Sequence, residues 1–207
     1  MTISMLSPSD HMLSDDPAIE QRLASAGKVR TGIDVAVLDE SNRPLRAGSI
    51  GEVCIRDPVV MKGYWQDAKA TKEAFKGNWY HTGDLGKFDD NGYLYLLDRK
   101  KEMIISGGSN IYPREVEQIL LLHPDVIEVA VVGIPDRLWG ESVLALVRAR
   151  EGAPVTEADL VKLCRANLGG YKKPHHFRFV ADLPKNAYGK ILKRDLKQQY
   201  AAEMASL

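Results

Sequence analysis

The sequence runs to 207 residues, 44% hydrophobic and 27% charged, enough for one large or two small cores. Its 28 basic and 28 acidic residues cancel, so no bulk charge directs it to nucleic acid or to an anionic membrane. No stretch approaches the ~20 apolar residues of a membrane span, and Met1–Asp10 carries neither a basic cluster nor an apolar signal core, so a soluble cytoplasmic protein is expected.

Along the chain, residues 1–27 hold Pro8, Pro17 and Gly27 and read as loop, with a short helix over Ala18–Ala24. Ile33–Leu38 alternates with period two, as a half-buried strand does. Asn42-Arg43-Pro44 is a turn, and Gly51–Arg56 is a second alternating strand. Asp67–Phe75 predicts a short helix with Asp67 as N-cap. Asp89–Gly92 predicts a hairpin turn between strands over Leu85–Phe88 and Tyr93–Leu97. This part reads as a small twisted sheet or a barrel. The two cysteines, Cys54 and Cys164, lie far apart in apolar stretches and read as buried free thiols rather than a disulfide.

After Asp98, strand and helix signals alternate, which predicts a separate α+β domain. Pro113–His123 opens on proline and puts Val116, Ile119 and Leu120 on one helical face. Val126–Ile134 and Ser142–Ala149 are strands. Thr156 caps a helix reaching Leu168, with an acid at the third position, close to a capping box. Phe177–Val180 is a short strand, and a helix over Arg194–Ala202 closes the chain. The fold class is therefore α+β: a small β-rich subdomain over 1–100, then a compact, hinged α+β domain over 101–207. The boundary at Lys101 carries no Pro- or Ser-rich linker, which points to a hinge rather than a tether.

Three runs carry the chemistry: Trp79-Tyr80-His81-Thr82-Gly83-Asp84-Leu85, then Asp98-Arg99-Lys100-Lys101-Glu102 continuing to Gly108, then Leu183-Pro184-Lys185-Asn186-Ala187-Tyr188-Gly189-Lys190. In this order they resemble the C-terminal part of the adenylate-forming enzymes, the superfamily of AMP-forming acyl-CoA synthetases, luciferases and peptide-synthetase adenylation domains. The resemblance spans about residues 28–205 and is closest to aryl- or acyl-CoA ligases. It implies that a carboxylic acid and Mg-ATP give an acyl-adenylate, which CoA converts to a thioester with release of AMP. It also implies an N-terminal domain in cis, bearing the Gly-rich phosphate loop, the acyl pocket and the Mg2+ ligands. None of these is seen in this chain, which alone would not be competent.

Carried over residue by residue, the resemblance gives Asp84 and Arg99 to the ribose and phosphates of ATP or AMP. A carboxylate suits two ribose hydroxyls, and a guanidinium is always charged and multidentate. The structural alternatives are a polar turn at Asp84 and a surface pair of Arg99 with Asp98 or Glu102. Lys101 falls at the family's hinge position, with a solvated lysine as the alternative. Gly108 lies in Ser106–Asn110, read as a small flexible loop between a strand and a helix, and falls on the pantetheine path, though a structural turn would use the same glycines. That run is not a nucleotide phosphate loop, because the Lys-Ser/Thr ending is absent.

Lys190 corresponds to the lysine that binds carboxylate and α-phosphate oxygens and so lowers the adenylation barrier; the alternative is one more lysine among Lys185, Lys193 and Lys197. Trp139 and Tyr171, with Arg137, Lys172 and Lys173, resemble the residues that cradle the CoA nucleotide. The structural alternative is that Trp139 packs on the domain core and Tyr171 lines the interdomain cleft. Gly51–Ile55 and Val60–Trp65 match a family motif read as structural. Two other functions stay open: a carrier-protein-loading adenylation domain, needing pantetheine but no CoA-adenine site, and a truncated, non-catalytic CoA- or nucleotide-binding module.

Overall fold

In the computed structural model, residues 2–12 and 17–204 are described; part of the expected loop over 1–27 falls outside them. The chain divides into two compact units, Met1–Lys101 and Glu102–Leu207. The architecture is mixed α+β, and no helix among the described residues is long and apolar enough to cross a membrane.

The first unit opens with β1 (Ser4–Met5), a short helix α1 (Pro17–Leu23) and β2 (Lys28–Val29), which pairs antiparallel with β1. Its main sheet holds β3 (Asp34–Leu38), β4 (Gly51–Arg56), β5 (Phe75–Lys76), β6 (Trp79–Phe88) and β7 (Leu94–Arg99), with α2 (Ala68–Ala74) between β4 and β5. The order is β3-β4-β6, and the far edge of β6 takes β5 at its start and β7 at its end. This is the open-sheet form of the expected sheet or barrel: β3 and β7 do not pair. Period-two alternation buries both faces, with Val37, Val53 and Leu94 on one side and Leu38, Cys54 and Trp79 on the other. Asp67 caps α2 as expected, accepting the Ala70 N–H at 2.8 Å.

The second unit holds β8 (Ile104–Ser106), β9 (Ser109–Ile111), α3 (Pro113–Leu120), β10 (Val126–Asp136), β11 (Gly140–Ala149), α4 (Glu157–Asn167), β12 (His176–Phe179) and α5 (Lys193–Met204). The sheet order is β10-β11-β8-β9, and β12 joins β11 in parallel through the α4 crossover. Val129, Val131, Val143, Ala145 and Val147 face α3 and α4, where Val116, Leu120, Leu160 and Cys164 complete the core. Ala130, Val132, Ile134, Leu144 and Leu146 face the other way, against Leu196 of α5. Thr156 and Asp159 form the capping box of α4, with the Thr156 hydroxyl 2.5 Å from Asp159 Oδ2. Both cysteines are buried and free.

Two expectations change. Ser106–Asn110 is not a loop between a strand and a helix but the turn of the β8–β9 hairpin, with Ile104 opposite Ile111. Gly107 and Gly108 have φ of +56° and +78°, and a two-residue turn of this kind needs left-handed backbone at both positions. The run Tyr80–Asp84 is not a turn entering a strand either, since β6 begins at Trp79 and the run lies inside it.

Candidate functional site

In the first unit the site is built by an irregularity in the β4–β6 ladder. Glu52 lies opposite Leu85 and Cys54 opposite His81, so Val53 alone faces Thr82, Gly83 and Asp84. Such a bulge breaks the ladder, and the freed backbone groups need other partners. Side chains supply them. The Thr82 hydroxyl donates to the Val53 carbonyl at 2.7 Å and accepts the Asp84 N–H at 3.0 Å. Glu52 Oε1 accepts the Gly83 N–H at 3.1 Å. Gly83 turns the strand through φ +74°, where a side chain would be strained.

The bulge leaves Asp84 facing Arg99 on β7, with Nε 3.0 Å from Oδ1. Arg99 also donates to the Thr82 carbonyl at 3.3 Å. Asp98 accepts the backbone N–H of Arg99, and the Arg99 guanidinium goes to Asp84. The two side chains stay 45% and 32% exposed. An ion pair that open contributes little to stability, and both groups keep faces turned to solvent. Lys101 is exposed, in the single 3-10 turn Lys100–Glu102, and is the last residue of its unit.

Beneath Asp84, Glu52, Cys54 and His81 bring possible ligand atoms within 4.8 Å of one another. This set does not fit magnesium, which takes hard oxygen ligands. Both Glu52 oxygens are also engaged, Oε1 by Gly83 and Oε2 by Lys100 Nζ at 2.9 Å and His81 Nδ1 at 3.1 Å. Burial pushes the Glu52 carboxyl up, but Lys100 and His81 outweigh it and hold the group below its usual range. Burial and the Glu52 charge push the Cys54 thiol up to about 12, so it stays protonated.

In the second unit most of the remaining residues converge on one end of the sheet. Ser106 pairs with Gly140, setting the Gly107–Gly108 turn beside the Arg137–Trp139 turn. The Trp139 carbonyl accepts the Gly107 N–H at 2.9 Å. The indole lies against Gly107 so closely that a Cβ there would come within 2.7 Å of the ring. Trp139 thus packs on a hairpin turn rather than on the core, and it remains 53% exposed. Asp136 shapes this turn by accepting the N–H groups of Leu138 and Trp139 at 2.8 and 2.9 Å, which hold its carboxyl below the usual range. Arg137 is exposed.

β12 starts beside Leu144, so the segment that enters it, Gly170–His175, arrives at this same end. Tyr171 is 54% exposed, with the Lys172 amine 5.8 Å from its ring centre. Lys172 is held by Glu115, at 2.7 Å, and Lys173 donates to the Pro174 carbonyl at 3.0 Å. Of the three expected cations only Lys172 therefore meets a carboxylate, and the Arg137 side chain has no partner among the described residues.

Lys190 is exposed on the loop before α5. Asn186 folds that loop: its side chain accepts the N–H groups of Tyr188 and Lys190, both at 3.0 Å, and its backbone pairs with Lys190. The neighbouring lysines are all paired: Lys185 with Glu128 at 2.7 Å, Lys193 with Glu117 at 2.8 Å, and Lys197 with Glu141 at 2.6 Å. The Lys190 amine alone among these four has no partner among the described residues. Lys193 also lies 3.6 Å from Glu102, tying the start of α5 to the first residue of its unit.

Several supporting residues were not singled out from sequence. Asp136 was legible as an Asx-turn former after Pro135. Glu141 carried no local signal: it accepts the Ile105 N–H at 2.9 Å as well as Lys197, and so fixes the hairpin from a strand 36 positions on.

The comparisons fit this geometry. A model of the AMP-binding enzyme family matches residues 4–65, and a model of the AMP-binding enzyme C-terminal domain matches residues 115–190. The chain belongs to the AMP-binding enzyme family and carries its C-terminal domain. Its relatives are CoA ligases, that is, acid–thiol ligases. The 2-succinylbenzoate–CoA ligase of Geobacillus kaustophilus is 45% identical over 177 residues, 86% of this chain and 36% of the relative. The long-chain-fatty-acid–CoA ligase FadD13 of Mycobacterium tuberculosis is 43% identical over 191 residues, 92% of this chain and 37% of the relative. Among solved structures, o-succinylbenzoate CoA synthetase from Bacillus subtilis in complex with its acyl-adenylate intermediate is similar at a TM-score of 0.83 and 37% identity, over 94% of this chain and 38% of that one. The chain thus spans little more than a third of the length of these proteins.

Proposed function

We propose that this chain is the C-terminal part of an AMP-forming carboxylic acid–CoA ligase. The observation that carries the reading is the Asp84–Arg99 pair, set on facing strands by a bulge and left half open to solvent. Asp84 accepts the ribose hydroxyls of ATP, and Arg99 meets its ribose or phosphate oxygens. The acid's carboxylate oxygen attacks the α-phosphorus, and the phosphoanhydride bond to pyrophosphate breaks. Lys190, whose amine no carboxylate neutralises, binds carboxylate and α-phosphate oxygens as charge develops there. Magnesium accompanying ATP would neutralise phosphate charge, and its protein ligands would come from the N-terminal domain.

In the second half-reaction the CoA thiol loses its proton and attacks the acyl carbonyl. A C–S bond forms, the acyl–phosphate C–O bond breaks, and AMP leaves. Lys101 is the hinge between the two half-reactions, as an exposed residue at the end of its unit is suited to be. Gly108 lines the pantetheine path. Trp139 and Tyr171 offer half-exposed aromatic faces to the CoA adenine, and Arg137, with Lys172 and Lys173, its phosphates. Two buried free thiols suit a reducing cytoplasm.

The relatives above are named for different acids, which fits an acid set mainly by the N-terminal pocket. The test has two steps. An antibody to this chain should detect a native product more than twice its 23.0 kDa mass. That product should exchange pyrophosphate into ATP only when its acid is present, then form a thioester with CoA faster than with dephospho-CoA or pantetheine. A native product of 23.0 kDa would favour a non-catalytic module. Equal rates with pantetheine and CoA would favour loading of a carrier protein.

A further inference from the structure

We propose that Glu52 is a positioning residue for the nucleotide site, holding Asp84 and Arg99 in register from inside the sheet. The proposal rests on the reading of Asp84 and Arg99 as nucleotide ligands. Glu52 is 8% exposed, on a strand whose other buried positions are apolar. Its two oxygens divide their work. Oε1 takes the N–H of Gly83, the residue before Asp84, and Oε2 takes the amine of Lys100, the residue after Arg99. One carboxylate therefore grips β6 and β7 immediately beside each member of the pair. His81 Nδ1, 3.1 Å from Oε2, braces the same oxygen.

Packing alone does not account for this arrangement. A buried carboxylate has a desolvation cost, and an apolar side chain of similar volume would fill the space as well or better. What an apolar residue would not supply is an acceptor for the Gly83 N–H, which the bulge removes from the ladder. Nor would it hold the end of β7, where the last ladder pair is Asp84–Arg99 itself. Thr82 completes the device, since its hydroxyl bridges the Val53 carbonyl and the Asp84 N–H. Asp84 is thus fixed on one side by Thr82 and on the other through Glu52, and its angle toward Arg99 follows from both.

Five variants of the full-length ligase test this: Asp84→Ala, Glu52→Gln, Glu52→Ala, Lys100→Met and Lys100→Arg. Asp84→Ala is the control for the nucleotide reading and should raise the KM for ATP at least tenfold. Glu52→Gln retains shape and an acceptor for Gly83 but loses the ion pair, and should raise the KM for ATP about fivefold with the KM values for acid and CoA within twofold of wild type. Lys100→Met should match it, and Lys100→Arg should restore it. Glu52→Ala should exceed both; if it fails to fold, Glu52→Gln and Lys100→Met carry the test. Amide exchange at Gly83, followed by NMR in the 207-residue chain, should accelerate at least tenfold in Glu52→Ala or, if that variant does not fold, rise measurably in Glu52→Gln. If Asp84→Ala raises the KM for ATP while Glu52→Gln and Lys100→Met leave it unchanged, or raise all three KM values alike, Glu52 is structural and the proposal is wrong. If Asp84→Ala itself leaves the KM for ATP unchanged, the nucleotide reading falls and this inference falls with it.

Discussion

Asp136 illustrates how one short side chain sets a site it does not belong to. Its carboxylate accepts the backbone N–H groups of Trp139 and Leu138, and these hold its pKa below the ordinary 3.8. A depressed carboxyl contributes stability that is present above the ordinary value and lost as pH falls through the lower, folded one. Asp136→Asn should therefore lower the urea midpoint at pH 7, and the gap to wild type should narrow as pH falls below the ordinary carboxylate range and through the lower, folded value. A gap of constant size across that range would mean that the charge does not hold the turn. The same reasoning by residue separates Lys190 from its neighbours. The motif singled it out by resemblance, with one more lysine among its neighbours as the alternative; its geometric distinction comes from the carboxylates that Lys185, Lys193 and Lys197 meet. Those partners lie 56 to 76 positions away in the chain, beyond the reach of local pattern reading.

Among the elements, those with a strong period or cap were legible in advance. The capping box at Thr156, the N-cap at Asp67 and the strands β3, β4, β10 and β11 all stand as read. The β8–β9 hairpin was not, although Gly107-Gly108 between two short apolar-ended runs is a hairpin signal; its strands, at three residues each, are too short to alternate visibly. The bulge in β6 was invisible for another reason: it depends on how a strand thirty residues earlier pairs with it. The hairpin yields a comparison between adjacent glycines. Both lie in left-handed backbone, which costs an alanine about 1–2 kcal/mol. Around Gly108 a Cβ meets nothing within 4 Å, whereas at Gly107 it collides with the Trp139 ring. Gly108→Ala should cost no more than that, measured by urea unfolding. Gly107→Ala should cost more and shift Trp139 fluorescence to longer wavelength. Equal losses and an unchanged spectrum would show that the indole does not rest on the turn.

For the whole molecule, the sequence motifs pointed to the family before any geometry was known, because the adenylate-forming pattern is carried by short runs of fixed spacing. What they did not give was the packing that holds each group in place. The Asp84–Arg99 pair belongs to the first unit; Gly108, Arg137, Trp139 and the Tyr171 segment gather at one end of the second unit's sheet, and Lys190 projects from a separate loop of that unit. A ligase with two half-reactions needs two sets of groups, and the second unit carries both a free lysine and a glycine–tryptophan corner. The most direct test is Lys190→Gln in the full-length ligase, with the half-reactions measured separately. Acid-dependent pyrophosphate exchange should fall by about 10²-fold or more, while transfer of the acyl group from supplied acyl-adenylate to CoA stays within threefold of wild type. Loss of both half-reactions together, or of neither, would contradict the account.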